Sequence, residues 1–161
     1  MIRAALAIVA VAVVVGVAQA KPRFAPIPEV DIAIPSGWHI QANPDGPLTI
    51  GPGTDDKQGV LQFSKLPIVA VEKAQQQGLL PFAQSMAKNI GWDKVVSTRE
   101  GPCALGRYAF IATTGEFKVQ LLWMTKTPSA IYLWTWIHSS DAPDRVAIAE
   151  NTVRTAKLRK P

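Results

Sequence analysis

Residues 104–138 read ALGRYAFIATTGEFKVQLLWMTKTPSAIYLWTWIH, and this stretch decides the fold. It divides into three strands, 104–114, 116–126 and 130–138, separated by Gly115 and by Thr127-Pro128-Ser129. With Thr114-Gly115 and Pro128-Ser129 as loop centres, an antiparallel meander sets Trp123 opposite Trp134, Leu121 opposite Trp136 and Phe110 opposite Val119. Gly106 then falls opposite Trp123, where a missing side chain would make room for the indole. One face collects Tyr108, Phe110, Phe117, Val119, Leu121, Trp123, Tyr132, Trp134, Trp136 and His138. The other collects Leu105, Ala109, Ile111, Leu122, Met124, Ile131, Leu133 and Ile137, with Arg107, Lys118 and Gln120 towards one end. A sheet wet on one side alternates cleanly between apolar and polar, and this one is apolar on both. Both faces must therefore be covered.

The flanking sequence supplies the covers. Helical spacing begins near Ile68, is interrupted at Gly78 and resumes around Pro81, with Leu79, Phe82, Ala83, Met86, Ala87 and Ile90 on one stripe and Gly91 as the stop. Trp92–Arg99 returns to strand. A last helix is capped by Ser140 or Asp141, with Pro143 in its first turn and Val146, Ala149, Val153 and Ala156 as its apolar stripe. The tail from Lys157 to Pro161 reads as a frayed, solvated helix end whose cations complement the macrodipole. Upstream, Glu29–Ile34 alternates as a first strand with Val30, Ile32 and Ile34 on one face. Short strands follow at Trp38–Gln41, Leu48–Ile50 and Gly59–Leu66, between turns at Asn43-Pro44-Asp45-Gly46 and Gly51–Asp56. The fold class is α+β: a three-layer α/β/α sandwich with a central, mainly antiparallel sheet and two main helices.

The chain opens with the layout of a secretory signal peptide: Met1-Ile2-Arg3, an apolar run over 4–18, then Ala18-Gln19-Ala20 before Lys21-Pro22. The run is short for a spanning helix, and the early proline favours cleavage over a retained anchor. The organisation expected is a cleaved signal over 1–20, an extended, proline-rich leader arm over 21–28, and one domain over 29–161. The protein is then exported, to a periplasmic or extracellular location. A lone cysteine, Cys103, forms no internal disulfide and reads as a small buried hydrophobe. The formal charge of +5 is spread along the chain and lacks the basic, aromatic-studded stripe of a nucleic-acid reader. Membrane association would require a retained anchor or the basic tail.

Motifs for chemistry are sparse. His39 and His138 lie on different strands, outside any His-x-His, His-Glu-x-x-His or cysteine-rich pattern, so no metal site is assigned. His138-Ser139-Ser140-Asp141 holds the residue types of a nucleophilic triad without a nucleophile elbow. Gly51-Pro52-Gly53-Thr54 lacks the ending of a phosphate cradle, and Asp55-Asp56 with Asn43 and Asp45 match no calcium loop. No cofactor and no catalytic residue is assigned. Packing under a helix is the default for the aromatic face; the functional alternative leaves one end open as an apolar groove rimmed by Tyr108, Trp136 and His138, with Trp38 and Trp92 nearby.

An early strand ending in Ile34-Pro35-Ser36-Gly37-Trp38, then short strands, a helical stretch, a meander and a closing helix to Lys157, resembles the PsbP-like and DcrB-like exported domains over residues 29–157. The resemblance implies a non-enzymatic α/β/α sandwich used as an accessory or protein-binding module, and brings no functional residue with it. The sequence therefore points to a non-catalytic exported accessory or binding domain engaging another envelope protein or a small apolar ligand. The alternative is a small extracytoplasmic hydrolase using His138 or His39 with a serine and a carboxylate.

Overall fold

The computed structural model describes residues 23–24, 29–41, 47–53, 59–92, 94–113, 119–138 and 143–160. The expected signal peptide, most of the leader arm, and the loop residues Asn43, Asp45, Asp55, Asp56, Ser139, Ser140 and Asp141 lie outside these residues.

Eleven strands and three helices are described: β1 (Arg23–Phe24), β2 (Val30–Asp31), β3 (Ala33–Ile34), β4 (His39–Gln41), β5 (Leu48–Gly51), β6 (Val60–Lys65), α1 (Ile68–Gln77), α2 (Leu79–Asn89), β7 (Val95–Cys103), β8 (Gly106–Thr113), β9 (Val119–Lys126), β10 (Ile131–His138), α3 (Pro143–Thr155) and β11 (Lys157–Leu158). Strands β4–β10 form one seven-stranded antiparallel sheet in the order β4-β5-β6-β10-β9-β8-β7. The two faces divide as the alternation requires. Ala109, Ile111, Leu122, Met124 and Ile131 pack beneath α1 and α2. Tyr108, Phe110, Leu121, Trp123, Tyr132, Trp134 and Trp136 pack beneath α3 and the segment carrying β2 and β3. The three layers of the α/β/α sandwich are thus present.

The β9–β10 register is the expected one, with Trp134 against Trp123 and Trp136 against Leu121. The β8–β9 register is not. Phe110 faces Trp123 rather than Val119, so the midpoint of that hairpin falls two residues beyond Thr114-Gly115. The rings of Phe110 and Trp123 lie 5.2 Å apart and tilted by 45°, a packing gain that the turn residues do not report. The partner shifts by four residues, an even number, which leaves the described side chains within the three strands on their expected faces.

This register also corrects the role of Gly106. It does not sit opposite Trp123; it pairs with Cys103 across a turn made by Ala104 and Leu105. Its φ is +130°, and a Cβ there would lie 2.6 Å from the Lys126 carbonyl oxygen. The backbone needs glycine for approach and conformation, not to admit an indole. The strand expected over 104–114 is therefore a hairpin arm starting at Gly106, preceded by a nine-residue β7 that runs on to Cys103. Leu105, lying in the turn, escapes the alternation and packs in the aromatic core.

The helical cover on the aliphatic face is a single contiguous piece. Gly78, at φ +90°, ends α1 and directly precedes α2: its N–H donates to the Ala74 carbonyl and its own carbonyl accepts from Phe82. Only glycine adopts that φ readily, so the helices turn with no further loop. Ala70, Ala74, Ala83 and Ala87 are all buried at this surface, and their small side chains let the helix backbones approach the sheet.

The aromatic face is closed by both ends of the described chain. The expected first strand is two pieces: β2 pairs with β11 and β3 pairs with β1. The tail is not a frayed helix end. Lys157 and Leu158 pair with Asp31 and Val30, and Arg159 Nε lies 2.8 Å from Asp31 Oδ1. The Arg159 N–H also donates to the Glu29 carbonyl at 3.0 Å. These bonds hold Val30, Ile32, Val153 and Ala156 over the rings, all of them fully buried.

Candidate functional site

The residues expected to rim an apolar groove do not come together as a rim. Trp136 is fully buried, and Trp38 and Tyr108 are 5% and 7% exposed. Trp38 stacks on Trp136 with centroids 5.4 Å apart, so the early Pro-Ser-Gly-Trp turn delivers an indole into the core. Its geometry is local: the Trp38 N–H donates to the Pro35 carbonyl, and Gly37 takes φ +77°. Trp92 packs half-buried on the opposite face with the aliphatic cluster. The side chain of His138 lies outside the described residues, and its backbone ends β10. His39 is exposed on β4, which β5 and β6 separate from β10.

Phe63 continues the ring ladder, 4.3 Å from Trp134 and 5.4 Å from Tyr132. The Trp134 indole N–H donates to Thr125 Oγ1 at 2.9 Å, which satisfies two buried polar groups at once. The Trp123 indole N–H makes no hydrogen bond among the described residues. The Tyr132 hydroxyl donates to the Glu29 carboxylate. Burial first, then the Glu29 charge and that bond, push the phenol up to about 12.

With the sheet covered, concave surface is found beside the helices. One groove of about 580 Å³ lies between the β7–β8 hairpin and α3, lined by Pro102, Cys103, Ala147, Glu150, Arg154 and Thr155. A second, of about 500 Å³, lies on the other flank of α3 against the Ile34-Pro35-Ser36 turn, and Ile148 and Thr152 contribute to it. Both share Ala147, Asn151 and Thr155, which follow each other at four-residue spacing along α3. A smaller groove of about 260 Å³ separates α1 from α2, lined by Val69, Lys73, Phe82 and Met86 among others.

The first groove has a charged rim. Arg99 of β7 pairs with Glu150 of α3 at 2.5 Å, and its guanidinium lies 4.2 Å from the Phe110 ring centroid. Arg154 sits over Tyr108 at 5.7 Å. Its backbone carbonyl accepts the Ala104 N–H, which ties α3 to the hairpin turn. Cys103 is half-buried here rather than fully enclosed. Burial raises its thiol pKa, opposed by backbone hydrogen bonds from Leu105 and Gly106 and by the Arg154 charge. The net direction is upward, which disfavours the thiolate. Sequence reasoning read α3 for its buried stripe and passed over its outer one. The spacing of Ala147, Asn151 and Thr155 was the signal available.

Among the described residues, no group of three or more His, Cys, Asp or Glu is placed to hold a metal ion, and no helix is long and apolar enough to cross a membrane. No protein-family model matches the chain, and no curated protein matches it. Among solved structures, it is similar to the solution structure of cyanobacterial PsbP (CyanoP) from Synechocystis sp. PCC 6803. That match covers 81% of this chain and 86% of the other at 12% identity, with a TM-score of 0.48.

Proposed function

We propose that this protein is an exported, non-catalytic binding domain of the cell envelope whose partner is a protein held against the outer side of α3. The observation that carries this reading is the closure of the aromatic face. Trp38, Tyr108 and Trp136 are buried in the core, so among the described residues these rings offer little surface to a small apolar ligand. The concave surface beside α3 is open and mixed in polarity: two grooves lie on either flank of the helix, with Ala147, Asn151 and Thr155 between them. A surface of that kind suits the side chains of another macromolecule better than it suits an enclosed substrate. Export rests on the leader, Met1 to Ala20, with its basic start, apolar run and small-residue cleavage step.

The test places a photoreactive amino acid at Ala147 or Asn151 on α3, and as a control at Gln76 on the outer side of α1, in the producing cells. Discrete adducts from the α3 positions and none from Gln76 support the reading. Absence of adducts from α3, or the same adducts from both helices, would overturn it. Sequencing of the purified protein's N-terminus checks export separately, with Lys21 as the expected first residue.

A further inference from the structure

We infer that the long outer edge of the sheet, β7, is guarded against pairing with a second copy of this chain. The sheet ends in two unequal strands. β4 is three residues long, whereas β7 has nine, and its side chains are exposed from Val95 to Glu100, with Val96 at 62%. A long, open edge with exposed valines is the usual template for edge-to-edge association. Three features of β7 oppose it.

The first is a bulge. Val95 pairs with Thr113 and Ser97 with Ala112, so Val96 is an extra residue and the regular edge begins only at Ser97. The second is proline. Cys103 and Gly106 face each other across a two-residue turn. Alternation from that pair turns the backbone groups of Thr98, Glu100 and Pro102 to the open side. Pro102 has no N–H to offer there, so only Thr98 and Glu100 present both a donor and an acceptor.

The third is charge. A two-fold antiparallel pairing centred on Arg99 sets that residue opposite its counterpart in the second copy, and like charges directly opposite are destabilising. Arg99 cannot swing away without giving up Glu150 and the face of Phe110. Centring on Glu100 opposes two carboxylates, each already paired with Arg107 of its own chain, and matches Thr98 with Pro102, which has no N–H to give. Centring on Thr98 drives Glu100 into the bulge at Val96. Each of these three self-pairing registers therefore meets a guard.

The test compares the full chain with the variant Arg99→Thr/Glu100→Thr/Pro102→Val. Light scattering measures mass, and amide hydrogen exchange is read at Thr98 and Glu100. The wild type is expected to remain a monomer in which these two amides exchange freely while that of Arg99, facing β8, is protected. The variant is expected to double in mass and to gain protection at both positions. A wild type that dimerises with Thr98 and Glu100 protected would overturn the inference, and so would a folded variant that stays monomeric with unchanged exchange. Circular dichroism checks folding. If the variant does not fold, Arg99→Thr alone is measured, and the wild-type exchange pattern decides by itself.

Discussion

The two faces of the central sheet are closed in different ways. The aliphatic face is covered by one uninterrupted piece of chain, Ile68–Asn89, whose alanines bring two helices down onto Ile111, Leu122 and Met124. The aromatic face is covered by parts that are far apart in sequence: β2 and β3 near residue 30, and α3 with β11 beyond residue 143. The first cover is local and gains from close approach. The second must close long loops before its contacts are made, and large rings repay that cost.

The sharpest way to break this contrast is to remove a ring. Trp134→Ala deletes a fully buried side chain that touches Phe63 and bonds Thr125. Chemical denaturation should report a loss of about 3–5 kcal/mol. A loss under about 1 kcal/mol would mean that the aromatic face does not dominate its own cover.

The second prediction uses pH. The Tyr132 phenol is raised from 10.0 to about 12 by burial and by Glu29. Its folded-state value lies above its unfolded one, so its contribution is fully present below pH 10.0 and is lost as pH rises through about 12. Stability should fall by up to about 2–3 kcal/mol across that window. Tyr132→Phe should flatten the fall, which alkaline denaturation followed by circular dichroism would show.

The aliphatic face should respond instead to added volume. Ala83 is fully buried under α2, and Ala83→Leu should cost about 1–3 kcal/mol by forcing the helix off the sheet. A neutral result would show slack where the alanine stripe implies contact. The smallest effect belongs to the strap. Arg159→Ala removes a partly solvated ion pair with Asp31 and should cost about 1 kcal/mol or less. Exchange should still quicken at Leu158, because the guanidinium holds the end of β11.

Much of this architecture is legible in the sequence. Face membership followed from period-two alternation, and it survived the misplaced β8–β9 turn because the register error was even. Gly115 looked like a turn centre, yet the ladder is set by Phe110 meeting Trp123, and ring packing across strands leaves no local mark. The tail was misread for a similar reason. Lys157-Leu158-Arg159 carries no strand signal of its own, and its partners Glu29 and Asp31 lie some 130 residues away. The candidate site was the least legible part. Large aromatics were natural groove candidates, but their size is what the core needed. The grooves instead depend on how α3 sits between the hairpin and the Ile34-Pro35-Ser36 turn.

Iodide quenching of the five tryptophans tests the closure of the sheet most directly. Trp38, Trp123, Trp134 and Trp136 should be inaccessible, with any quenching confined to half-buried Trp92 and abolished in Trp92→Phe. Residual quenching of a folded Trp92→Phe chain would contradict the account, because iodide would then be reaching rings that the two covers are held to seal.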